Sequence, residues 1–130
     1  MAEHHAIRTP SVLVIDDSDC DAVLAEIVVK ENLSDARIDH APDGSSGLER
    51  LRNGTYDLVL LDLAMPGLSG FDVLERLHTC TNFTGRVVVL SSSTRPSDHE
   101  RVAAYGCEYV EKHSDFSTFR RLMTATLVPA

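Results

Sequence analysis

The sequence predicts an α/β fold, a doubly wound (βα)5 three-layer sandwich built on one parallel sheet. Three observations lead there. Five short strand-like runs each precede a helical pattern. The runs at 11–15, 58–61 and 86–90 are apolar almost throughout, as in strands covered on both faces. The length of 130 residues suits one domain that buries its own core without a disulfide or metal staple. Right-handed crossovers put helices on both faces of such a sheet, and 2-1-3-4-5 is the default order for five strands.

Residues 11–15 form the first strand, stopped by Asp16 and Asp17. Ser18 or Asp19 caps a helix running to about Asn32, with apolar residues at Val23, Leu24, Ile27 and Val28. Residues 37–41 form a second, more alternating strand. Pro42, Asp43 and Gly44 make a turn, and Ser45 or Ser46 starts a helix with Leu48 and Leu51 inward. Asn53 and Gly54 close it. The third strand, 58–61, is the most apolar and ends at Asp62. Residues 65–70 form a loop, followed by Phe71, Val73, Leu74 and Leu77 at helical spacing. Residues 86–90 make the fourth strand, broken by Ser91, Ser92, Ser93 and Thr94. Ser97 or Asp98 caps the next helix, which ends at Gly106. Residues 108–110 form a short fifth strand. The last helix covers 115–127, with Phe116, Phe119, Leu122 and Met123 on one face. Residues 1–10 read as a leader and 11–130 as the domain.

Twenty acidic residues against 12 basic ones leave a net charge of −8. That argues against direct nucleic-acid binding, which begins with a basic patch, and against an anionic membrane surface. No apolar run is long enough to span a membrane, and the N-terminus carries no signal peptide. Cys20, Cys80 and Cys107 lack metal-type spacing, so a reducing, cytoplasmic setting is the simplest reading.

Chemistry gathers at the carboxyl ends of the strands, where ligands of such sheets lie. Asp16 and Asp17 end the first strand and Asp62 ends the third, its neighbour in the expected order. Singly, each could be a cap or turn former. Together, three carboxylates repel one another unless a hard cation joins them, and Mg²⁺ suits such a site. Ser91 ends the fourth strand with a hydroxyl that can donate to a phosphoryl oxygen. Lys112 follows the fifth with a charge that can pair with an anion.

These residues carry a family resemblance. Val14-Ile-Asp-Asp17, the stretch from Leu60 to Gly70 around Asp62, Val88-Val-Leu-Ser91 and Tyr109-Val-Glu-Lys112 resemble the receiver domain of two-component response regulators, the CheY-like family with a flavodoxin-like fold. The resemblance spans about residues 11–127. It implies that Asp62 is the phosphoacceptor, and that Asp17, Asp16, Asp62 and the Ala64 backbone carbonyl hold Mg²⁺. It implies phosphoryl contacts from Ser91 and Lys112, and a switch formed by Ser91 and Tyr109. The partner implied is a sensor histidine kinase or phosphotransfer protein, with no enzyme turnover of a separate substrate. The acids from Asp16 to Asp21, and a lysine without a following proline, further resemble stand-alone receivers that work with bacterial phytochromes. That subgroup implies a homodimer through the fourth helix, fifth strand and fifth helix. The expected output is by protein contact, dimerisation or passing the phosphoryl group along a relay, since 130 residues fit one receiver.

Four positions depart from the family pattern. His113 follows Lys112 where proline is usual; a cis bond there would cost about 3–4 kcal/mol, so a trans bond is expected. The stretch from Gly106 to Tyr109 is one residue short, so the fifth strand is expected to start differently. Ala64 offers no side chain over the acyl phosphate. Ser92 and Ser93 add hydroxyls after Ser91. A binding-only pseudo-receiver is disfavoured by retention of every acid, the hydroxyl and the lysine. An aspartate-nucleophile phosphatase would need a second acid at Ala64.

Overall fold

The computed structural model describes residues 9–128. Residues 1–8 of the expected leader and 129–130 of the expected domain lie outside the described residues. The element order is β1 (Ser11–Ile15), α1 (Asp19–Asn32), β2 (Arg37–Ala41), α2 (Gly44–Asn53), β3 (Leu58–Asp62), α3 (Gly70–Cys80), β4 (Arg86–Ser91), α4 (Pro96–Ala104), β5 (Glu108–Glu111) and α5 (Phe116–Leu127). The sheet is wholly parallel, in the expected order β2-β1-β3-β4-β5.

Strand alternation divides the core in two. Val12, Val14, Leu58, Leu60, Val88 and Leu90 face one side and pack with Ala25 and Val28 of α1 and Phe119 and Met123 of α5. Leu13, Ile15, Val59, Leu61 and Val89 face the other, against Leu48 and Leu51 of α2, Val73, Leu74 and Leu77 of α3 and Val102 of α4. Both sides of β1 and β3 are therefore dry, and charged residues are confined to the carboxyl ends of these strands.

Several local expectations need correction. The inward stripe of α1 is Ala22, Ala25, Val28 and Val29, whereas Val23 is 52% and Ile27 43% exposed. Small alanines let α1 approach the sheet closely but carry a weak hydrophobic signal, so the larger apolar residues Val23 and Ile27 stand out in the sequence although they face outward. The cap of α2 is Asp43, whose side chain accepts from the Ser46 amide, rather than Ser45 or Ser46. Helix α4 starts at Pro96 with no side-chain cap from Ser97 or Asp98. Asp98 instead accepts from Ser93 Oγ at 2.6 Å and pairs with Arg95 at 3.2 Å. In α5 the buried stripe is Phe119, Met123 and Leu127, and Leu122 is 36% exposed.

The shortened stretch before β5 has a simple solution. Gly106 takes φ +75° after α4, and Cys107 alone separates it from β5. Only a residue without a Cβ adopts that backbone conformation cheaply. The described residues contain no cis peptide bond, so Lys112–His113 is trans.

Candidate functional site

The site lies where β1, β3, β4 and β5 deliver their carboxyl ends. Asp16 leaves β1 with its amide donating to Ala41 O at 3.1 Å, and Asp16 Oδ1 accepts from the Ser18 amide at 2.9 Å. His40 Nε2 lies 2.8 Å from Asp16 O. These contacts fix a nearly inaccessible carboxylate, with Oδ1 taken by the Ser18 amide and Oδ2 turned toward Lys112. Asp17, next in the chain, is exposed. Asp62 is the last residue of β3 and 5% exposed. Behind it, the α3 start must pass close by. A Cβ on Gly70 would run into Asp62 O and Leu63 Cα, which explains a glycine there.

Carboxylate oxygens of Asp16, Asp17 and Asp62 lie within 4.8 Å of one another. An all-oxygen trio with one exposed member fits a hard divalent ion that keeps part of its water. Ala64 borders the same cleft of about 360 Å³, with Asp17, Asp62, Ser92 and Lys112.

Lys112 reaches into this acidic group from the β5–α5 loop. Its backbone amide donates to Ser91 O at 2.7 Å, which anchors the residue to the end of β4. Its Nζ sits 2.9 Å from Asp16 Oδ2, 3.0 Å from Asp21 Oδ2 and 3.3 Å from Asp62 Oδ1. Burial works against the ammonium charge. The hydrogen bond and charge of Asp16, the hydrogen bond to Asp21 and the charge of Asp62 outweigh it, and the lysine pKa is raised. Burial also dominates at Asp62, opposed by Lys112 and reinforced by the charge of Asp16. The result is a carboxyl raised from 3.8 to about 6.

Ser91 is 2% exposed, one residue beyond Leu90, which pairs with Asp62 across the sheet. Its Oγ accepts from the Ser93 amide at 3.1 Å. Tyr109 lies on β5, half-buried, and its hydroxyl donates to Ser93 O at 2.9 Å. The ring stacks on His99 of α4, centroids 3.8 Å apart and planes 24° apart. A single loop, Ser91 to Ser93, thus connects the site to Tyr109.

All the residues expected at the site are at this end of the sheet. Asp16, Asp62 and Lys112 are in direct contact, Asp17 and Ala64 line the cleft, and Ser91 and Tyr109 join through Ser93. Two further residues take part, Asp21 and His99. In the sequence Asp21 is one of several acids within residues 16–21, and its place in the first turn of α1, just after the end of β1, is the signal that points it at the strand ends. His99 carried no sequence signal.

Residues 12–124 match the family described as the response regulator receiver domain. The chain belongs to that family. Among curated relatives, the receiver is 26% identical over 117 residues to response regulator ArlR of Staphylococcus saprophyticus, covering 89% of this chain and 51% of that one. It is 36% identical over 98 residues to the gliding motility regulatory protein of Myxococcus xanthus, covering 74% of this chain and 12% of that one. The receiver thus spans about half or less of these relatives. Among solved structures, the phosphorylated cyanobacterial phytochrome response regulator RcpA superposes with a TM-score of 0.77 at 22% identity, covering 92% of this chain and 91% of that one. The bacteriophytochrome response regulator AtBRR gives 0.71 at 25% identity, covering 89% and 91%. Vibrio cholerae CheY4 gives 0.72 at 22%, covering 93% and 99%. No helix among the described residues is long and apolar enough to cross a membrane.

Proposed function

We propose that this receiver accepts a phosphoryl group on Asp62 from a sensor histidine kinase or phosphotransfer protein. The observation that carries the reading is Lys112 Nζ, 3.3 Å from Asp62 and 2.9 Å from Asp16, beside a trio of carboxylates open to the cleft. One carboxylate oxygen of Asp62 attacks phosphorus. The bond from phosphorus to the donor nitrogen breaks, and an acyl phosphate forms. Asp16, Asp17, Asp62 and the Ala64 carbonyl would hold Mg²⁺, which supplies charge neutralisation for the transferring phosphoryl group. Lys112 gives one phosphoryl oxygen a charged donor, and Ser91 gives another a hydroxyl.

The proposed readout runs through Ser91. A Ser91 hydroxyl drawn to the phosphoryl group gives up its acceptor role toward the Ser93 amide, and Ser93 O is where Tyr109 is held. Tyr109 then reorients on the face formed by α4, β5 and α5. We assign that face to a second copy of the chain, with exposed Leu122 as one apolar contact. The likeness to RcpA and AtBRR supports a bacterial phytochrome as the kinase.

The test is intact-mass measurement after incubation with acetyl phosphate and Mg²⁺. One phosphate adduct on wild type, lost in Asp62→Asn, is expected. No adduct, or an undiminished one on the variant, overturns the reading. Light scattering with a beryllofluoride phosphoryl mimic tests the dimer, and an unchanged monomer overturns that part.

A further inference from the structure

We infer that Asp21 is a positioning residue that holds the Lys112 ammonium over Asp62 when the other two carboxylates are occupied. The inference rests on the proposal that Asp62 is the phosphoacceptor. Lysine has three N–H donors and no acceptor. Here three carboxylates surround it, at 2.9, 3.0 and 3.3 Å. They are not equivalent. Asp16 and Asp62 belong to the trio whose oxygens converge for a cation, whereas Asp21 does not. The side chains of Asp16 and Asp62 are 2% and 6% exposed, while that of Asp21 is 41% exposed.

That difference sets up a division of labour. A divalent cation on Asp16 and Asp62 draws on the same negative charge that attracts Lys112, and adds a repelling positive charge beside it. Phosphorylation consumes one Asp62 oxygen as well. Asp21 comes from a different element, the first turn of α1, and retains its full charge through both events. The distance of 3.0 Å makes it a charge-assisted hydrogen bond from loop to helix. The value of such a pair is geometric: an exposed ion pair contributes little to stability, but a misplaced catalytic group costs much in rate.

The variants are Asp21→Asn and Asp21→Glu. Ser18 caps α1 through the Asp21 backbone amide, so both leave the cap bond in place. Two quantities are read. The first is phosphorylation by acetyl phosphate with Mg²⁺, resolved into a maximal rate and a donor half-saturation. The second is the ¹H–¹⁵N signal of the Lys112 ammonium with Mg²⁺ alone, assigned by its loss in Lys112→Arg. Asp21→Asn is expected to lower the maximal rate roughly tenfold, with half-saturation not raised, and to shift or broaden the Lys112 signal. Asp21→Glu is expected to restore most of both. A rate that is unchanged or faster in Asp21→Asn overturns the inference, because Asp21 would then only repel the anionic donor. An unmoved Lys112 signal overturns it equally. If wild type takes up no phosphate, the phosphoacceptor proposal fails by itself, and the Lys112 signal alone decides the role of Asp21. Circular dichroism of both variants before the assay identifies any loss of fold, and Asp21→Glu remains as the folded comparison.

Discussion

Removing the Asp62 charge is expected to stabilise the metal-free protein, because the fold holds that carboxylate at a cost. Its pKa lies at about 6 rather than 3.8, chiefly through burial. At about 1.4 kcal/mol per tenfold change in proton affinity, that gap favours the protonated form by up to about 3 kcal/mol. The folded state therefore binds more protons than the unfolded chain between pH 3.8 and about 6, and stability falls as pH rises through that window. Asparagine approximates the protonated form at every pH. Asp62→Asn should match wild type below the window and exceed it by up to about 3 kcal/mol above it. For a domain of this size that is up to about 11 °C in Tm. The assay is thermal unfolding followed by circular dichroism at pH 3.5, 5 and 7.5 with chelator present. Added Mg²⁺ should narrow the gap at pH 7.5, since only the ionised trio binds it well. A variant no more stable than wild type at pH 7.5, or a gap that does not change with pH, refutes the reasoning.

Three further outcomes follow from the same contacts. Lys112→Ala leaves three carboxylates without their shared cation and should cost about 3 kcal/mol in metal-free urea denaturation at pH 7.5. Gly70→Ala drives a methyl into Asp62 O and Leu63, and should cost about 1–3 kcal/mol while lowering Mg²⁺ affinity by titration calorimetry. Ile27→Lys on the exposed side of α1 should change stability by no more than about 0.5 kcal/mol, whereas Val29→Lys on the buried side should prevent cooperative folding.

Strand positions were legible because the sheet is buried on both faces. A strand covered on both sides has to be apolar throughout, and residues 58–61 announce that without any periodicity. The acids that stop β1 and β3 were legible for the same reason: a charge at the end of a dry strand needs a task or a partner. Helix faces were less legible. In α1 the inward residues are partly alanines, and in α5 Leu122 lies beside the buried stripe. Hydrophobic size misleads where close approach to the sheet selects small side chains. Caps failed at α2 and α4 because several Ser and Asp residues compete within one turn, and only the backbone path chooses among them.

The sequence by itself determined the five βα units, their order, and the delivery of Asp16, Asp17, Asp62, Ser91 and Lys112 to one end of the sheet. Those follow from local pattern and from the handedness of crossovers. Only the tertiary structure decided how Lys112 divides its charge among Asp16, Asp21 and Asp62, and that Tyr109 rests between His99 and Ser93 O. Such contacts join residues distant in sequence through side chains whose reach exceeds their spacing. Ångström-scale packing of α1, α4 and the β5–α5 loop sets them, and no residue pattern along the chain encodes that distance.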